Sequence, residues 1–335
     1  MSGRTTMRDV AKAAGVSPMT VSRALRGDTM VNQKTRDLVQ NTAARLGYVY
    51  DTTAQAFRSQ KSGFVAVTLP SINNANFADT FRGLSETFGD LGLQLLLGST
   101  NYDVEAEEHL VRQLLQRRPE AVILTGGYHT DATQQLVHAA NVPIFEIWDL
   151  PDNPLGHVVG FSNADAMKPL VQHLAKTGRR KLSFVGASEG TDHRGTERRR
   201  GVVDAAQSMG LPDVQFVDAG QAPVSMTQGA DAVWALGSTL NDLDALVCVS
   251  DPVAYGALSA CQRMGIRVPN DLAITGFGAF EIASVCVPSI TTVRVNAHAV
   301  GVRVGELALR VFDGQDTGRS MTEDLGSSLQ LGETS

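Results

Sequence analysis

The chain has 335 residues, 43% of them hydrophobic and 19% charged, which excludes wholesale disorder and calls for two or three folded units. No apolar run reaches the ~18 residues that a membrane span needs, and Met1–Arg8 lacks the apolar core of a signal peptide. The net charge of −6 hides an asymmetry: residues 1–62 hold 10 Lys and Arg against 4 Asp and no Glu, so a head of +6 precedes a remainder of −12. Only the head then suits a polyanion such as nucleic acid.

The head reads as three short helices. Met7, Val10, Ala11 and Ala14 fall at helical spacing, and Gly15 stops that helix. Ser17 is placed to cap a second helix, with Pro18 at its first position. That helix, Pro18 to Arg26, turns Val21, Ala24 and Leu25 inward and leaves Thr20, Ser22, Arg23 and Arg26 outward. Asn32 caps a third helix running to Leu46, with Thr35, Leu38, Val39, Thr42 and Leu46 on its inner stripe. Two helices joined by a Gly-containing turn make a helix-turn-helix. Ser17, Thr20 and Ser22 offer hydroxyls to phosphates, Arg23 can pair with a guanine edge, and Pro18 and Met19 offer apolar contact.

Residues 51–62 are polar and read as a linker. From Gly63 the texture changes to strand-like apolar runs, FVAVTL (64–69), LQLLLG (93–98), AVILT (121–125), PIFEIW (143–148), KLSFVG (181–186), VQFVD (214–218), DALVCVS (244–250) and LAITGF (272–277). Helical stretches such as Phe77–Leu91, Val104–Arg117, Ala164–Thr177, Val224–Leu236, Asp251–Met264 and Asn296–Phe312 lie between or after them. This alternation implies α/β architecture, with parallel sheets flanked by helices and divided into two similar lobes. Cys248, Cys261 and Cys286 sit in apolar surroundings and read as buried thiols of a reducing cytoplasm. The dispersed histidines, and the lack of a phosphate loop or an H-E-x-x-H pair, give no reason to expect a cofactor or a metal.

The stretches MRDVAKAAGVSPMTVSRAL and VNQKTRDLVQNTAARLGY resemble the DNA-binding head of the LacI-type (lactose-repressor) family of transcription regulators. FVAVTLPSINNANFADTFRGL and PSITTVRVNAHAVGVRVGELAL extend the resemblance over nearly the whole chain. It implies a helix-turn-helix head over 1–50, a hinge over 51–62 that folds on operator DNA, and an effector-binding, dimerising body over 63–335. That body resembles periplasmic sugar-binding proteins, with lobe 1 about 63–160 and 292–319 and lobe 2 about 161–291 and 320–335. A cytoplasmic homodimeric repressor on a near-palindromic operator is the implied assembly. The tail after Phe312 lacks the leucine heptads of a tetramerising coil, so a dimer without a tetramer is expected.

Carried over by position, the resemblance assigns base readout to Pro18, Met19 and Arg23. The minor-groove hinge falls to Ala54 and Phe57, with Phe57 where a leucine is usual and Tyr50-Asp51 where Pro-Asn is usual. It lines the effector cleft with Asn76, Phe77, Arg194, Arg198 and Asp251, and puts Gly278 where an aspartate is common, with Glu281 as its substitute. TGGYHT (125–130), PIFEIWD (143–149), VGFSNADA (159–166) and CQRMGIRVPNDLAITGF (261–277) most resemble gluconate repressors, which implies a sugar acid or its phosphate as effector. Independently, Arg194 and Arg198 lie one helical turn apart just after a strand, a placement that suits a carboxylate or phosphate. His129 and Glu146 are candidates to order hydroxyls, and Trp148-Asp149 to line the cleft.

Two rival readings use other features. Gly186-Ala187-Ser188-Glu189-Gly190 matches the G-x-S-x-G elbow of α/β serine esterases, and Asp251 or Asp271 with His298 would complete a triad in the right chain order. Against it, the loop continues through Gly195 where an elbow needs a helix, and Glu189 and Asp192 oppose an oxyanion. A sugar-binding module without regulation is disfavoured by the attached head.

Overall fold

The computed structural model describes residues 5–50, 62–315 and 320–335, and the chain divides into two compact units, 1–62 and 63–335. The head comprises α1 (Met7–Ala14), α2 (Pro18–Leu25) and α3 (Gln33–Arg45) around Val10, Ala11, Ala14, Val21, Ala24, Val31, Val39 and Ala43. The expected start and stop signals operate. Gly15 takes φ +65°, and Ser17 Oγ and Asn32 Oδ1 accept from Thr20 N and Thr35 N; a cap not anticipated starts α1, where Thr6 N donates to Asp9 Oδ2 at 2.9 Å. Two expectations fail. Leu38 is 49% exposed, because α3 turns Val39, Thr42 and Ala43 inward and Val31 fills the remaining space. Ser22 is buried, its hydroxyl 3.2 Å from the Tyr50 hydroxyl that folds over α2.

The body is two six-stranded sheets. The first has the order β11-β5-β4-β3-β1-β2, all parallel, from β1 (Phe64–Leu69), β2 (Gln94–Ser99), β3 (Ala121–Thr125), β4 (Ile144–Ile147), β5 (His157–Gly160) and β11 (Thr322–Asp324). The second has the order β12-β10-β9-β8-β6-β7, from β6 (Leu182–Gly186), β7 (Gln215–Asp218), β8 (Ala245–Cys248), β9 (Ala273–Phe277), β10 (Thr291–Arg294) and β12 (Ser328–Gln330). Among the described strands only the β10–β12 pair is antiparallel. Strands buried on both faces read as unbroken apolar runs, which is why AVILT and LAITGF stood out. The four-residue β5 and β10 and the three-residue β11 and β12 are too short to show a period.

The lobes therefore interleave more than expected. β10 belongs wholly to the second sheet, so the chain returns to lobe 1 after Arg294 rather than at 292. The segment 320–335 is shared, β11 going to lobe 1 and β12 to lobe 2. The returning helix α12 (Ala297–Phe312) packs on α4 (Ala75–Asp90) of lobe 1. A Cβ at Gly83 would lie 2.5 Å from His298 O and one at Gly301 2.1 Å from Thr80 O, so glycine is what lets these two helices touch. Cys248 and Cys261 are buried as expected, whereas Cys286 is half-buried. No helix among the described residues is long and apolar enough to cross a membrane, and no described cluster of His, Cys, Asp or Glu could hold a metal ion.

Candidate ligand cleft and nucleic-acid interface

On the head, α2 presents Ser17, Pro18, Met19 (59% exposed) and Arg23 to solvent, with Thr20 partly covered. Ser17 and Thr20 hydroxyls bond each other at 2.9 Å, and Arg23 is held only loosely, 4.0 Å from Asp28. A guanidinium so weakly engaged is free to reach a base edge. Ser22, buried against Tyr50, is not placed to meet DNA. Arg36 donates to the carbonyls of Asp28 and Val31, closing the α2–α3 turn, while Lys34 is exposed. Ala54 and Phe57 lie outside the described residues.

In the body, loops at the carboxyl ends of strands from both sheets enclose a cavity of 390 Å³. Lobe 1 contributes Asn76 and Phe77, set there because Asn74 Oδ1 caps α4 by accepting from both their backbone N–H groups. Lobe 2 contributes Arg194 and Arg198 from the first turns of α8 (His193–Ser208), each only 8% exposed. Arg198 is held on three sides. Its Nε donates to Asn163 Oδ1 and its Nη1 to Val249 O, both at 3.0 Å, and its guanidinium lies 3.8 Å from the Phe277 ring centroid. Burial pulls its pKa from 12.5 down to about 10. Arg194 Nη1 reaches across the lobes to Thr125 O at 3.4 Å, and its guanidinium lies 5.6 Å and 5.7 Å from the rings of Phe77 and Tyr102. Trp148 packs edge-on to Phe77 at 4.9 Å and donates to Thr80 Oγ1. Two buried guanidiniums between aromatic walls make a site for a small anion with an apolar face.

Four expected cleft residues lie elsewhere. His129 and Glu146 are buried inside lobe 1: His129 Nδ1 is 2.5 Å from Glu107 Oε2, and His129 Nε2 is 3.1 Å from Gly126 O and 3.6 Å from Glu146 Oε1. Burial alone would depress the imidazole pKa, but the two carboxylates override it and raise it to about 9. Asp251, the first residue of α10 (Asp251–Met264), is fully buried behind the wall, accepting from Phe280 N at 2.7 Å. Burial lifts its carboxyl to about 6. Glu281 is exposed, and the place near Gly278 is filled by the Phe280 ring, which a Cβ at Gly278 would meet at 2.5 Å. Among wall residues not anticipated are Tyr102, Asp192, Ser225, Ser250, Phe277 and Phe280. Phe277 is the last residue of β9 and the others follow strand ends, which is the only signal that could have found them. Asp149 lines a smaller chamber beside the cavity, with Trp148 in the cavity itself.

The residues that would complete a triad with the elbow-like loop are engaged elsewhere. Ser188 Oγ donates to Asp218 Oδ1 at 2.7 Å, His298 pairs with Glu86 in lobe 1, Asp271 pairs with Arg267, and Asp251 is enclosed in the core.

Comparison with known proteins agrees with this arrangement. Residues 6–51 match the family described as bacterial regulatory proteins, lacI family, and residues 171–335 match the periplasmic binding protein-like domain. The chain is 32% identical over 332 residues to the HTH-type transcriptional regulator GntR of Pseudomonas aeruginosa, covering 99% of this chain and 96% of that one. It is 29% identical to the regulator GntR of Escherichia coli, covering 98% of each. Among solved structures, a LacI family transcriptional regulator from Silicibacter pomeroyi superposes with TM-score 0.90 at 30% identity, over 98% of this chain and 99% of that one. The transcription regulator GntR from Chromobacterium violaceum superposes with TM-score 0.75 at 33% identity, over 81% and 99%.

Proposed function

The chain belongs to the lacI family of bacterial regulatory proteins, DNA-binding transcription regulators, and from that membership we propose that a sugar acid such as gluconate, seated in the body's cleft, controls the head's hold on its operator. The observation that carries the ligand class is the pair Arg194 and Arg198, two buried guanidiniums facing a 390 Å³ cavity. A carboxylate buried without a cation meets a large desolvation cost, and a forked guanidinium offsets much of it. Phe77 and Trp148 then cover the ligand's apolar face, and Asp192 accepts from its hydroxyls.

On the DNA side, α2 enters the major groove with Arg23 on a base edge, Pro18 and Met19 in apolar contact, and Ser17 and Thr20 near phosphates. Two heads of a cytoplasmic homodimer meet half-sites about one helical turn apart, which makes the operator near-palindromic. Ligand binding alters the relation of the lobes and so the spacing of the heads. Reversing a 99:1 preference takes about 5.5 kcal/mol of differential affinity. The test is binding to operator duplex at several salt concentrations, titrated with gluconate and with glucose. Binding that weakens steeply with salt and is released by gluconate alone is expected. A stronger response to glucose overturns the ligand class.

A further inference from the structure

We propose that Tyr128 and His193 form a latch across the mouth of the cleft, with His129 as its buried anchor, and that this latch sets how readily the lobes part. The inference rests on the reading of the cleft as a ligand site, but its parts lie outside the main cavity.

The latch arm is the loop TGGYHT (125–130), between β3 and α6 (Asp131–Ala140). Its two ends are fixed. Gly126 N donates to Ile147 O at 2.8 Å, and Thr130 Oγ1 caps α6 by accepting from Thr133 N. Its centre is fixed by His129, which Glu107 and Gly126 O hold by its two ring nitrogens inside lobe 1. An imidazole so pinned turns the preceding side chain outward. Tyr128 is 57% exposed, and its ring stacks on His193 of lobe 2 with centroids 3.7 Å apart and planes inclined 26°.

The catch is equally well defined. His193 begins α8, one residue before Arg194, whose Nη1 reaches Thr125 O on the same lobe 1 loop. A Cβ at Gly126 would lie 2.8 Å from Arg194 Nη1 of lobe 2, and one at Gly127 would strike Pro151 of lobe 1 at 2.5 Å. Glycine at 126 leaves room for the lobe 2 guanidinium beside the loop, and glycine at 127 lets the loop lie flat on Pro151 of its own lobe. The small chamber of 40 Å³ beside the pair has room for a few water molecules and not for a sugar. The groups facing His193 are Asp192 and Arg194 from its own helix start and Asp149 and Tyr128 from lobe 1; burial lowers its pKa, so the stacked ring is the neutral one at pH 7.

The main cavity takes Phe77 and Trp148 from lobe 1 and Arg198 and Phe277 from lobe 2, so it binds ligand only when the lobes are together. Loosening the latch lowers the competent fraction and with it the apparent affinity. An aromatic pair of this kind corresponds to about a two- to twelvefold change in the equilibrium.

The experiment compares full-length parent, Tyr128→Ala, His193→Ala, the double variant and Tyr128→Phe. Hydrogen exchange on the unliganded protein is expected to quicken at both 125–130 and 191–198 in each single variant, including the loop that was not altered. The gluconate concentration for half-release from operator is expected to rise by the factor above, the double variant matching the singles and Tyr128→Phe matching the parent. Exchange that quickens only on the altered lobe, or additive effects in the double variant, overturns the latch. If the parent ignores gluconate, the sugar-acid reading fails, and the exchange arm still decides the latch.

Discussion

Replacing Arg198 by alanine separates ligand recognition from folding, and the structure supplies the magnitudes. In the empty protein the substitution removes the bonds to Asn163 Oδ1 and Val249 O, each charge-assisted and worth about 1.5–3 kcal/mol. It also relieves the cost of burying the charge, which the fall in pKa from 12.5 to about 10 sets at roughly 3 kcal/mol. The two effects largely offset, so the unliganded body should lose about 0–3 kcal/mol. With ligand the balance changes, because a buried carboxylate that keeps Arg194 but loses the Arg198 guanidinium gives up about 3–5 kcal/mol of binding, a factor of more than 100. Gluconate at 100 times the parent's dissociation constant stabilises the parent by about 2.7 kcal/mol. At about 2 °C per kcal/mol for a domain of this size, that is a rise of about 5 °C in the melting temperature. The same concentration should move Arg198→Ala by less than about 1 °C. The assay is thermal unfolding of both proteins with gluconate and with glucose, alongside operator binding without ligand, which Arg198→Ala should retain. An equal gluconate shift in the variant, or a larger shift with glucose, would refute the charge-pairing argument.

Three further outcomes follow from the same geometry. Arg23→Ala should cost about 1–3 kcal/mol at the cognate operator and relax specificity, whereas Lys34→Ala should weaken all duplexes alike and reduce the salt slope by about 1; equal losses on specific and random DNA for Arg23→Ala would remove it as a base contact. Ser22→Ala and Tyr50→Phe should each lower the head's stability by about 1 kcal/mol without changing base preference, and Arg36→Ala should destabilise the head rather than flatten the salt dependence, as denaturant midpoints and salt titrations will show. His129 gains protons on folding, its pKa rising from 6.5 to about 9, so its contribution of roughly 3 kcal/mol is fully present below pH 6.5 and is lost as pH climbs through 9. Urea midpoints of the body should fall over that window in the parent and stay level in His129→Gln; a level parent would mean that the imidazole is not charged.

Much of this protein was legible along the chain because its signals are local. Gly15, Ser17-Pro18 and Asn32 act on backbone groups within four residues of themselves, so the head's helix limits could be read directly. The long parallel strands are buried on both faces and announce themselves as apolar runs, and Arg194 and Arg198 share a face because both lie on one helix one turn apart.

What the sequence left open depends on partners far along the chain. His129 and Glu146 looked like ligand contacts until Glu107, 22 residues before His129, claimed the imidazole inside lobe 1. Asp251 and Phe280 are 29 residues apart, and only the β8–β9 pairing brings them together, turning the carboxylate inward and leaving the ring to form the wall. Leu38 and Ser22 exchanged their expected exposures because Val31 and Tyr50, both outside the helices, cover one face and not the other. β11 and β12 carry too few residues to have a period, so their division between the two sheets is decided by which strand edges the body leaves open. A pattern in the chain specifies which face of an element seeks burial, but which distant group meets it there is a property of the packed fold.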